Sequence, residues 1–129
     1  MGDIRRILHV EDDPDIREIA LLALSDLGGF DVLQCASGAE AVAHAEGFAP
    51  ELLLLDVMMP GMSGFETLAA LRKIAGLVQT PAIFMTSKDV SSQQHFEIHS
   101  TAIGAIQKPF DPVRLPDQLR QIVSDAQGI

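Results

Sequence analysis

The chain has 129 residues, of which 47% are hydrophobic, with a formal net charge of -9, no Trp, no Tyr and a single cysteine, Cys35. That length suits one domain burying roughly two-thirds of its unfolded surface in an aliphatic core. The charge argues against nucleic acid as a partner, since that binding draws on Lys and Arg. One cysteine rules out an internal disulfide or a cysteine metal centre. With no signal segment and no apolar stretch near the ~20 residues of a membrane span, no membrane association and a cytoplasmic location are expected.

Short apolar runs alternate with longer helical patterns five times, the mark of strand-helix units around a parallel sheet. The first strand is placed at about Arg6 to Val10. Asp13 is a natural N-cap, Pro14 occupies the first helical turn, and Ile16, Ile19, Ala20, Ala23, Leu24 and Leu27 form a stripe that Gly28-Gly29 closes. A second strand, Asp31 to Cys35, leads through Ser37-Gly38 into an Ala-rich helix of about Ala39 to Glu46. Leu52 to Leu55 is the third strand. The loop from Met58 to Gly64 follows, then a helix whose inner face is Phe65, Leu68, Leu71 and Ile74 or Ala75. The fourth strand, Ala82 to Met85, ends in Thr86-Ser87, and a polar helix lies somewhere within Val90 to Thr101. Ala105 to Gln107 is a short fifth strand, followed by Lys108-Pro109-Phe110 and a last helix with Leu115, Leu119, Ile122 and Val123 inward. Nothing reads as a linker, and one domain over 1–129 without an output domain is expected.

Parallel strands end on one edge, so Glu11, Asp12, Asp56, Thr86 and Lys108 all reach the same rim, where α/β proteins keep their ligands. Carboxylates crowded together resist joint ionisation unless a cation neutralises them. Hard oxygen donors select a hard ion, and Mg²⁺ suits two or three carboxylates with a carbonyl and a phosphate. Asp56, at a strand tip before a loop, is the candidate nucleophile, because a carboxylate can form an aspartyl-phosphate. Lys108 and Thr86 would hold the phosphoryl oxygens. Asp13 is read as a helix cap only.

Four dispersed motifs, Ile7-Leu8-His9-Val10-Glu11-Asp12-Asp13, Leu55-Asp56 through Gly64, Met85-Thr86-Ser87 and Lys108-Pro109-Phe110, resemble the receiver domain of bacterial two-component response regulators over essentially the whole chain. The resemblance implies a doubly wound (βα)5 flavodoxin-like fold with a five-stranded parallel sheet of order 2-1-3-4-5 and helices on both faces. It implies that Asp56 accepts a phosphoryl group from a sensor histidine kinase or histidine phosphotransfer protein, with Mg²⁺ as cofactor. Asp12 and Asp56 would bind the metal directly, Glu11 through water, and the backbone carbonyl of Met58 would complete the set. Thr86 would bond the phosphoryl group, Lys108 would pair with it, and the Lys108-Pro109 peptide would be cis. A monomer or weak dimer that catalyses only its own phosphorylation and dephosphorylation, not an enzyme on other substrates, is the expectation.

Departures from the pattern fall on the output side. Ala105 stands where the family usually has Tyr or Phe, so the side chain that swings inward is missing, and Thr101 and Ile103 also depart. Met58 and Lys88 occupy the positions at which the family tunes phosphoryl lifetime. The alternative function is a phosphorylation-independent adaptor of the same fold. A metal-dependent phosphatase is disfavoured because Met58 stands where a second catalytic Asp would be, and no Gly-rich phosphate loop supports a nucleotide fold. His9 and Cys35 read as core; His95 and His99 have zinc spacing without a third ligand; Met58, Met59 and Met62 read first as loop packing, with an adaptable partner surface as the alternative.

Overall fold

The computed structural model describes residues 3–128. Five strands form one parallel sheet in the order β2-β1-β3-β4-β5: β1 Arg6–Val10, β2 Asp31–Cys35, β3 Leu52–Asp56, β4 Ala82–Thr86 and β5 Gly104–Gln107. The helices are α1 Pro14–Leu21, α2 Gly38–Phe48, α3 Gly64–Leu71, α4 Ser92–Thr101 and α5 Leu115–Ala126. This is the doubly wound order expected, and each strand lies within a residue of its sequence placement.

Strand alternation divides the core in two. Leu8, Val10, Leu53, Leu55 and Phe84 pack under α2, α3 and α4, against Ala41, Ala45, Leu68, Leu71 and Ile98. Ile7, Leu52, Leu54, Ile83, Met85 and Ile106 face α5 and the first helix, against Ala23, Leu24, Leu115, Leu119 and Val123. Every residue of β3 and β4 is buried. Their unbroken apolar runs follow from being covered on both faces.

The first helix departs from the regular stripe. It runs as an α-helix only to Leu21 and continues as a π-helix over Leu22–Leu27, with the Gly28 N–H donating to the carbonyl of Ala23 at 3.0 Å. The wider turn shifts the phase. Leu27, placed inward by regular spacing, is 57% exposed, as is Ile19 at 46%, while Ala20, Ala23 and Leu24 are fully buried. The third helix also stops earlier than its stripe suggests, at Leu71; Ile74 still packs on the core from the following turn, whereas Ala75 is exposed.

Candidate functional site

Backbone bonds continue the sheet past its strands and fix the rim. The N–H of Glu11 donates to Cys35, that of Val57 to Met85 and that of Lys108 to Thr86, at 3.0, 3.1 and 2.6 Å. These bonds tie the end of β1 to β2 and the ends of β3 and β5 to β4, and Glu11, Asp56, Thr86 and Lys108 stand at those ends. The Lys108–Pro109 peptide is cis, as expected. Arg17 donates from Nη1 to the carbonyls of Glu11 and Asp12 at 2.8 and 3.0 Å, which ties the acidic turn to α1. Asp13 caps that helix, its carboxylate accepting from the N–H of Asp15 and of Ile16.

Three of the four acidic groups form one cluster. Carboxylate oxygens of Glu11, Asp12 and Asp56 all lie within 4.8 Å of one another, while Asp13 turns away to its cap. Glu11 and Asp56 are buried and Asp12 is exposed, so the cluster opens to solvent on one side. Lys108 Nζ sits 3.1 Å from Glu11 Oε1 and 3.1 Å from Asp56 Oδ2. One ammonium therefore serves two buried carboxylates. Burial first, and the Asp56 charge second, push the Glu11 carboxyl up to about 7, although the Asp13 N–H and Lys108 pull it back. Burial works against the Lys108 charge, but Asp56 and Glu11 outweigh it and the ammonium is held above its ordinary range. Thr86 is buried at the end of β4.

Two glycines hold the loops around Asp56. A Cβ on Gly64, the first residue of α3, would stand 2.2 Å from the Asp56 carbonyl oxygen, so the helix seats directly on the backbone of the candidate nucleophile. Gly38, opening α2, leaves the same room for Thr67 Oγ1. These close approaches, like the bonds of Arg17 to the acidic turn, join residues whose spacing in the chain does not show them. The Ser91-x-x-Gln94 spacing was a readable capping-box signal, and both of its bonds are present at 3.1 Å.

Other expectations divide. His9 is fully buried; its Nδ1 accepts from the Gln34 amide at 3.1 Å, while Nε2 has no partner among the described residues. Burial lowers its pKa to about 4, with Lys108 and then Arg17 adding to the effect. Cys35 is buried. His95 and His99 stack at 6.2 Å, and among the described residues no third ligand joins them. Met58 corrects the loop-packing expectation: it is 66% exposed, whereas Met59 packs on the core. The chain turns Met58 outward because Val57 takes the buried position beside β4.

The response regulator receiver domain family matches residues 7–120, and the chain belongs to it. Response regulator Rre1 of Synechocystis sp. is 30% identical over 128 residues, covering 99% of this chain and 55% of that protein. The DNA-binding response regulator MtrA of Mycolicibacterium smegmatis is 33% identical over 116 residues, 90% of this chain and 49% of that one. The chain thus spans about half the length of these relatives. Among solved structures, the chemotaxis protein CheY4 of Vibrio cholerae superposes with a TM-score of 0.84 at 30% identity, covering 93% of this chain and 99% of that chain. A CheY-like receiver domain protein of Methanospirillum hungatei reaches 0.76 at 27% identity, covering 96% and 98%. No helix among the described residues is long and apolar enough to cross a membrane.

Proposed function

We propose that this receiver domain takes a phosphoryl group onto Asp56 from a phosphohistidine of a sensor histidine kinase or phosphotransfer protein, and signals by altered protein binding. The observation that carries the reading is Lys108 Nζ at 3.1 Å from both Glu11 and Asp56, beside a carboxylate cluster open on the Asp12 side. In the reaction an Asp56 carboxylate oxygen attacks phosphorus as the donor's N–P bond breaks. The electron pair returns to the imidazole nitrogen, which takes a proton from solvent. Lys108 would transfer its contact from Asp56 to a phosphoryl oxygen, and the Thr86 hydroxyl would donate to another.

The donor set fits Mg²⁺: carboxylate oxygens of Glu11, Asp12 and Asp56 converge within 4.8 Å of one another, with the single ammonium of Lys108 beside them. Asp12 and Asp56 would hold the ion directly, Glu11 through water, and Met58 through its backbone carbonyl. When bound, Mg²⁺ neutralises the carboxylates and the charge on the transferring oxygens. The acidic surface favours protein over nucleic acid as the downstream partner.

The test incubates the chain and Asp56→Asn with Mg²⁺ and acetyl phosphate and reads intact mass. The unmodified chain gains one phosphoryl group, whereas Asp56→Asn and a chelator-treated sample gain none. Absence of an Asp56-dependent gain would sink the proposal and favour the phosphorylation-independent adaptor, the reading that exposed Ala105 supports.

A further inference from the structure

The residue two beyond Asp56 reaches past α3 to α4. Met58 Sδ accepts a hydrogen bond from Gln94 Nε2 at 3.5 Å, across 36 residues of sequence. Gln94 is also the N3 member of the capping box that opens α4, whose N-cap is Ser91. Its Oε1 accepts from the Ser91 N–H, and its own N–H donates to Ser91 Oγ, both at 3.1 Å. The two ends of one rigid side-chain amide are thus committed to different structures, the oxygen to the start of α4 and the nitrogen to the loop after β3.

The helix whose capping box this amide completes is lightly held. Ile98 is its single buried residue, and Phe96 on the same helix is 74% exposed. On the neighbouring strand, Ala105 faces the α4 side, since Ile106 faces α5; it is exposed and carries only a methyl group. No side chain at that position reaches from β5 towards the site. A helix with few buried contacts opens locally at low cost, and its first turn depends on its cap.

We propose that Gln94 is a positioning residue that couples the state of Asp56 to α4 through Met58. The proposal rests on the function proposed above, in which the Met58 carbonyl joins the metal site. Any shift of that backbone moves the thioether, a flexible but contiguous side chain. Because the amide is planar, following the sulfur with its nitrogen rotates its oxygen away from the Ser91 N–H. The charge change at Asp56 is thereby converted into a loosened first turn of α4, without an aromatic relay.

The experiment is hydrogen exchange of α4 peptides in the full chain, with and without Mg²⁺ and acetyl phosphate, with Asp56 occupancy read by mass in the same samples. Gln94→Glu keeps the acceptor for Ser91 and loses the donor to Met58, and Gln94→Leu loses both. In the unmodified chain phosphorylation speeds α4 exchange about fivefold, the size of one lost capping-box bond. In Gln94→Glu basal α4 exchange is unchanged and the response to phosphorylation falls below twofold. In Gln94→Leu basal exchange is already fast and phosphorylation adds little, so this second variant reports even if the first folds poorly. A full α4 response in Gln94→Glu at equal Asp56 occupancy overturns the proposal, as does an unresponsive α4 in phosphorylated unmodified chain. Failure of Asp56 to gain mass at all refutes the function reading instead, and this coupling with it.

Discussion

The rim around β1 and β3 and the edge formed by β5 and α4 are built to different standards. At the rim, Glu11 and Asp56 are buried, share Lys108 and are braced by Arg17, Gly64 and the continuing sheet bonds. At the edge, Ala105 is exposed and α4 buries Ile98 alone. The proposed function gives the difference a reason: a reaction at phosphorus needs groups fixed to a fraction of an ångström, whereas a responding surface must lie close in free energy to an alternative. The division follows from where packing is spent.

Substitutions on the two sides sharpen that contrast. Gly64→Ala drives a methyl group into the Asp56 carbonyl; chemical denaturation should show a loss of about 3 kcal/mol. Lys108→Ala leaves two buried carboxylates without their shared ammonium, and acetyl phosphate labelling of Asp56 should slow about 10²-fold. Titration offers a subtler probe of the rim. Glu11 has a folded pKa raised from 4.5 to about 7, so its contribution is full below 4.5 and lost as pH rises through 7. His9 has one lowered from 6.5 to about 4, so its contribution is full above 6.5 and lost as pH falls through 4. Between 4.5 and 6.5 the two oppose each other. Metal-free stability should therefore change little there, while Glu11→Gln shows a rise with pH and His9→Leu a fall, each ~2 kcal/mol by thermal melts at stepped pH. Mg²⁺ should flatten the fall in His9→Leu. On the other side, Phe96→Ser at 74% exposure should move unfolding by less than about 0.5 kcal/mol. A large loss there would show that α4 is held as firmly as the rim.

What was legible in the sequence was what local chemistry writes into it. Apolar runs such as Leu52 to Leu55 mark buried strands because both faces of a parallel sheet are covered, and Asp13-Pro14 marks a helix start because cap and ring each suit a free helix end. The convergence of Glu11, Asp12, Asp56, Thr86 and Lys108 followed from topology, since parallel strands share an edge.

Tertiary structure decided the rest. The π-helical turn at Leu22–Leu27 breaks a stripe that residue spacing alone reads as regular, because helix phase answers to packing against α5 and the sheet. The outward turn of Met58 and its bond to Gln94 join residues far apart in the chain, and no local preference encodes such a contact. Sequence by itself determined the fold and which acidic groups arrive at the rim. Only the folded chain decided that one lysine serves two carboxylates and that the edge beyond them is lightly held. Those outcomes depend on distances set by the whole packed sheet.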